Sequence, residues 1–273
     1  MATKWISVRE YFKLMATSIF TKHRAQDLLI KLSSILSVLL FWHILLVLVF
    51  PANTIIPTPS EVFIALSDIV TNGDIFAHVF ASLIRVVVGF LIATFIGVGL
   101  ALVAGYYKKV GIFLNPLIEF LRPIPPIAWI PIAILIFGLG NTSAYFIVFM
   151  GAFFPIFTNS FFGVNSLPTI YENVARSFEI KKSIFIKEIL LKFSLPYIFT
   201  GLKIGIGMAW MSVIAAELIG AQSGLGYFIQ LNRLLLRTDN VIAGMILIGV
   251  IGYVLSWLLL TVEKKIIPWG NKK

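Results

Sequence analysis

No cysteine occurs among the 273 residues, so the chain forms no disulfide, holds no metal through thiolate and has no cysteine nucleophile. Charge is scarce as well: Asp, Glu, Lys and Arg make up 12% of the chain, where soluble domains carry roughly 25%. There is no G-x-x-x-x-G-K run followed by Ser or Thr, and no Gly-Lys pair at all. Nothing here can therefore cradle nucleotide phosphates in the P-loop manner, and any ATP and magnesium must be held by another chain. H-E-x-x-H and G-x-S-x-G are missing, and His23, His43 and His78 lie far apart, which argues against an enzyme and against a metal site. The residues up to 27 lack the pattern of a cleaved signal, being basic and interrupted by polar side chains.

What the chain has instead is apolar length. Hydrophobic residues make up 59% of it, with a mean hydropathy of +0.98. A bilayer core about 30 Å thick needs about 20 apolar residues per helix, so the expectation is an all-α membrane protein of about six spans. Apolar windows place them at 28–49, 79–105, 124–139, 143–163, 198–220 and 241–262. One transmembrane domain over 28–263 would then sit between a segment 1–27 and a tail 264–273. The third window opens in RPIPPIAWIP, where Pro123, Pro125, Pro126 and Pro131 each remove a backbone donor. Broken backbone at membrane depth must be buried in protein or line a cavity, so this stretch, with Trp129, is a candidate wall of a pathway; a plain helix entry with proline in its first turn is the alternative.

Basic residues orient the spans. All but three of the 22 fall on the side shared by the two termini and the 164–197 loop; the exceptions are Arg85, Arg233 and Arg237. The positive-inside rule puts both termini and that loop in the cytoplasm, with the chain in the plasma (inner) membrane. The net charge of +10 is met by topology and anionic headgroups and calls for no nucleic acid.

The loop between the fourth and fifth windows carries a helical pattern. Val174, Phe178, Phe185, Ile189 and Phe193 recur on one face, with Arg176, Lys181, Lys182, Lys187, Glu188 and Lys192 between them. Such a double helix can lie passively on headgroups or present its apolar face to a soluble partner.

A longer pattern surrounds it: Ala175, Arg176 and Phe178, then Ile189 and Leu191, then Leu195, Pro196, Ile198, Thr200, Gly201, Leu202, Ile204 and Gly207. This resembles the coupling loop of ABC importer permeases. FLRPIPPIAWIPIAILIFGLG (120–140), GAFFPIFTNSFFGV (151–164) and AWMSVIAAELIGAQSGLGYFI (209–229) resemble the nitrate, sulfonate, taurine and bicarbonate branch of that family. P-T-P-S-E-V (57–62) and S-L-I-R-V-V-V-G-F (82–90) fit as well. The loop departs from the family pattern at Asn173, where glutamate is usual, at Glu179 for glycine and at Lys192 for proline. A residue with a Cβ in place of glycine suggests a slightly different turn at 179. The resemblance implies a permease subunit that forms the pathway for a small solute, with a coupling loop (169–197) between spans four and five. It also implies a second permease subunit, expected to be an identical copy, two ATP-hydrolysing subunits and an extracytoplasmic solute-binding protein. The rival reading is a secondary transporter or channel that works without ATPases.

Arg85 lies inside the second span and Glu217 inside the fifth, at similar depth on the same side. An ion pair, a solute contact and snorkelling to the interface are the three readings. Gly201, Gly205 and Gly207 invite close helix packing, as do Gly220, Gly224 and Gly226. The segment 221–239 is too short and polar to cross; it reads as a re-entrant or outer-surface helix whose Arg233 and Arg237 could meet an anion or headgroups.

Overall fold

The computed structural model of the protein describes residues 29, 30, 33, 34, 36–49 and 55–269. Segment 1–27, part of the first window and the end of the tail lie outside the described residues. The chain divides into two compact units, Met1–Ile64 and Ala65–Lys273.

In the first unit, the apolar helix α1 is described over Leu36–Leu48 and runs into a π turn over Leu45–Val49. Helix α2 (Pro59–Asn72) starts in this unit with a reciprocal cap. The Thr58 backbone N–H and hydroxyl donate to Glu61 Oε2 at 2.7 and 3.0 Å, which is why P-T-P-S-E-V opens a helix with proline in its first turn. Those bonds favour the charged carboxylate and hold the Glu61 carboxyl below its ordinary range.

The second unit is built on three long helices: α3 (Asp74–Tyr106), α6 (Asn141–Asn165) and the continuous helix α8 (Lys182–Gly220). Their packing depends on absent side chains. Gly89, Gly97 and Gly105, spaced eight apart on α3, meet Val148, Ile156 and Val164, spaced eight apart on α6. A Cβ at Gly89 would come within 2.6 Å of Val148, and one at Gly105 would overlap Val164 outright. On the other side of α6, a Cβ at Gly201 or Gly205 of α8 would lie 3.0 Å from the Pro155 carbonyl or 2.8 Å from Ile156. In lipid, where apolar burial gives helices no drive to associate, such close approach supplies the dispersion contact that holds them. Gly207 meets nothing within 4 Å and has no packing role inside this chain.

Around this core run α4 (Lys108–Leu121), α5 (Ile130–Phe137), the short helices α7 (Thr169–Ser177) and α9 (Leu225–Leu234), and α10 (Thr238–Ile266). Among the described residues four helices, α3, α6, α8 and α10, are long and apolar enough to cross a membrane, and a fifth crossing exists if α4 and α5 count as one broken span. The 124–139 window therefore differs from expectation. Instead of one short helix, the chain bends by 92° between α4 and α5, because RPIPP cannot sustain helical hydrogen bonds and is bridged by a 3-10 turn over Pro126–Trp129. Pro126 and Pro131 do stand in the first turns of their helices, as the plain-entry alternative has it.

The fifth window is also longer than expected. The helix ending at Gly220 starts at Lys182 and includes a π turn over Phe185–Leu190. Its 39 residues extend about 58 Å, roughly twice the hydrocarbon thickness, so one end stands well beyond the bilayer.

Candidate functional site

The polar interior of the fold is concentrated at one end of α3 and α8. Arg85 and Glu217 meet there at 2.7 Å, with both residues buried. The Ser82 hydroxyl lies 2.8 Å from both Glu217 carboxylate oxygens and accepts the Leu225 N–H at 2.9 Å. The Gly226 N–H donates to Glu217 Oε2 at 2.9 Å. Arg85 gives its Nε–H to Asn141 Oδ1 at 2.8 Å, and its two terminal nitrogens bond the Ser223 carbonyl and hydroxyl at 2.6 and 2.9 Å. The Gly224 N–H reaches His78 Nδ1 at 3.1 Å.

Four of the five guanidinium donors are thus engaged by the chain itself, and the carboxylate is fully coordinated. Chemically this is a neutral, satisfied clamp that ties α3, α6, α8 and the 221–224 link into one body. The glycines of AQSGLG follow from it: Gly224 sits at φ +113°, and a Cβ there would overlap the Glu217 carboxyl group. At Gly226 a Cβ would come within 2.7 Å of the Glu217 Cβ. Beside the clamp is a cavity of about 400 Å³ whose wall includes Arg85, Asn141, Gln222 and Ser223. Arg233 stands exposed on α9 and takes no part in the clamp.

The residues of the 169–197 loop form a different kind of surface. Asn173, Val174, Ala175 and Arg176 lie on α7, which Phe178 caps. The chain then reverses through a Schellman turn: the Ile180 N–H bonds the Ala175 carbonyl at 2.9 Å and the Glu179 N–H bonds the Arg176 carbonyl at 3.0 Å. Glu179 occupies the left-handed residue of that turn at φ +52°. The expected change of turn is not what the substitution produces. The chain adopts the conformation that suits glycine, and Glu179 bears the steric cost of its Cβ.

The apolar pattern of the loop, read above as one face, divides in two. Ala175, Phe185 and Leu190 are buried against Val164 and Leu167, with Tyr106 and Ile189 packed around them. Val174 and Phe178 point the other way and, with Ile170, form an exposed stripe in which Phe178 is 77% accessible. The reason is the reversal at 178–180: once α7 folds back on the start of α8, only one side of α7 can meet it. Leu191 and Leu195 pack on the main core, Pro196 lies inside α8, and Gly201 marks the α6 crossing. Arg176 pairs with Glu172 at 3.7 Å and Lys192 with Glu188 at 2.6 Å, each within its own helix and exposed, so that solvent screens both contacts.

At the bend, Pro123 and Pro125 are exposed, whereas Pro126 lines a cavity of about 270 Å³ enclosed with α6 and α8. Trp129 packs against the clusters that hold Ile130 and Met150, and its indole N–H is buried without a partner among the described residues. Ser82, Asn141 and Ser223 are clamp residues that sequence reasoning missed. Ser82 alone carried a signal, lying three residues before Arg85 and therefore on the same helical face.

Known proteins resemble this chain in sequence and in fold. Residues 93–268 match the family described as binding-protein-dependent transport system inner membrane component. A nitrate import permease protein of Synechococcus elongatus is 40% identical over 65% of this chain and 63% of its own length. A bicarbonate transport system permease protein of the same species is 34% identical over 86% of this chain and 88% of its own. Among solved structures, inward-facing conformations of the MetNI methionine ABC transporter superpose with a TM-score of 0.62 at 16% identity, over 70% of this chain and 95% of that one, a likeness of fold alone.

Proposed function

The chain belongs to the binding-protein-dependent transport system inner membrane component family, and from that premise we propose how it works as the permease subunit of an ATP-driven importer. It forms the pathway with a second, identical copy, crosses the membrane six times and keeps both termini in the cytoplasm; α1, of which residues 36–48 are described, belongs to the first crossing, and the bent pair α4 and α5 to the third. Two ATPase subunits hold ATP and magnesium, and a solute-binding protein delivers solute at the opposite side. The solute is a small oxyanion, the chemistry that nitrate and bicarbonate in the relatives' names have in common.

The observation that carries this reading is the exposed stripe of Ile170, Val174 and Phe178, held out from the bundle on a helix whose inner side is packed. An apolar stripe bordered by Glu172, Arg176 and Lys182 fits a groove on a soluble partner. Its support is stiff: the first turns of α8 run without interruption into the bundle, so force applied at α7 moves the pathway helices as one body. In this scheme the Arg85–Glu217 clamp with Gly224 and Gly226 is a strut at one end of the pathway, the prolines 123, 125 and 126 with Trp129 form its inner wall, and Arg233 lies on the outer surface.

The test is co-purification. The full-length permease, expressed with the ATPase and binding-protein genes of its own operon, is expected to retain the ATPase through detergent purification and to take up nitrate or bicarbonate into proteoliposomes only with ATP. Uptake with no bound ATPase would establish the secondary-transporter reading in its place.

A further inference from the structure

The cavity at the bend holds one charged residue, and that residue is alone. Arg122 closes α4 and lines the cavity together with Ile124, Pro126, Thr158, Asn159 and Met208. Among the described residues its guanidinium enters no ion pair or hydrogen bond, and no Asp or Glu contributes to the wall. Arg122 is exposed, so its charge stays hydrated and available to an ion entering the cavity, unlike Arg85, which is buried against Glu217.

The neutral polar groups of the wall can donate. Among the described residues Thr158, which lines the cavity, makes no side-chain hydrogen bond. Asn159 spends one amide proton on the Pro155 carbonyl at 2.8 Å and keeps the second. The remaining wall is apolar, from Ile124, Met150, Phe154, Ile204 and Met208, so on that side a bound ion would meet few competing polar groups. A volume of about 270 Å³ is far above the ~30 Å³ of one water and accommodates a small anion with part of its hydration.

We propose that Arg122, Thr158 and Asn159 form an anion subsite within the pathway that takes a small oxyanion in transit. The guanidinium supplies the charge and a planar pair of donors matched to two oxygens of a trigonal or tetrahedral oxyanion, and the Thr158 hydroxyl and Asn159 amide reach a third. This assignment rests on the permease reading, since it makes the cavity part of a route. It also places anion selection within this chain, in addition to whatever the binding protein discriminates.

The chain's lack of cysteine makes the test direct. A Thr158→Cys variant of the full-length permease, purified in detergent, is reacted with two thiosulfonate reagents of similar size, one bearing a sulfonate and the other a trimethylammonium group. A cavity focused by Arg122 is expected to favour the anionic reagent by about tenfold or more. Arg122→Gln should bring the ratio near one, and Arg122→Lys should keep most of it. Nitrate should slow the anionic reagent more than gluconate at equal ionic strength, a readout taken on the Thr158→Cys protein alone that does not depend on the Arg122→Gln protein folding. A ratio near one with Arg122 present, a ratio unmoved by Arg122→Gln, absence of nitrate protection, or no labelling at all would each overturn the subsite. Because the labelling needs no ATP, its result is independent of whether an ATPase co-purifies, and the two readings can fail separately.

Discussion

The two polar regions of this molecule are opposites. Around Glu217 the clamp is closed on itself: the carboxylate is met by Arg85, Ser82 and Gly226, and four of the five Arg85 donors are spent within the chain. Around α7 and the bend the chain is open: Phe178 projects, and among the described residues Arg122 has no counter-ion and the Trp129 indole N–H has no acceptor. The contrast separates residues whose work is done within the chain from residues whose work requires something outside it. Substitution in the first set should damage the permease itself. In the second it should damage only what the permease binds.

The largest effect is expected at the clamp. Removing one member of a buried, hydrogen-bonded ion pair strands the other and costs about 3–5 kcal/mol. Glu217→Gln and Arg85→Gln should each lower detergent stability on that scale, and the double variant should be less damaged than the sum of the two. A double-mutant cycle read by thermal unfolding in detergent checks this. Strictly additive losses would dissolve the contrast, since each residue would then act independently. Gly224→Ala should match the single losses, because its Cβ and the Glu217 carboxyl group cannot share the same space.

A second test sharpens the contrast within one short helix. Ala175 and Phe178 are three residues apart, yet Ala175 is buried against Phe185 and Leu190 while Phe178 is exposed. Ala175→Asp places a charge in an apolar contact of the permease's own fold and should cost about 3 kcal/mol of its stability. Phe178→Asp should leave the isolated permease unchanged, yet lower the amount of ATPase retained on purification at least tenfold. Lys182→Ala should do neither. Equal losses of permease stability from both aspartates would mean that α7 is entirely an internal element.

How far these roles were legible in the sequence depends on the physical signal each one leaves. Long apolar runs located α3, α6 and α10 to within a few residues, because desolvation acts over a whole window. The start of α8 was hidden, since Lys182–Lys192 alternates charge with apolar residues and hydropathy falls where the helix leaves the bilayer without ending. Opposite charge at matching depth pointed to Arg85 with Glu217. Asn141 and Ser223 are neutral and distant in sequence, and nothing but the fold brings them to Arg85. The division of the coupling loop into an inner side with Ala175 and an outer side with Phe178 was invisible to helical periodicity, because it depends on where the chain reverses. That reversal rests on a single backbone conformation at Glu179.

The smallest effect is expected at that residue, and it tests whether the open region is shaped by the chain or by what binds it. A left-handed conformation costs a residue with a Cβ roughly 1–2 kcal/mol, a cost glycine does not bear, though glycine loses more backbone entropy on folding. The two terms leave Glu179→Gly stabilising by about 0.5–1 kcal/mol if the turn already has its final shape in the free permease. The side chain also lines a cavity of about 500 Å³ with Tyr106, Arg176 and Lys182, so removing its charge leaves two nearby cations without that carboxylate and tempers the gain. Thermal unfolding of the purified permease, with Glu179→Ala as the reference, separates backbone from charge: alanine loses the carboxylate but keeps the Cβ. Glycine more stable than alanine by about 1 kcal/mol locates the strain in the backbone of the isolated chain. Equal stability of the two would mean that the turn relaxes when free and takes its left-handed form only against a partner.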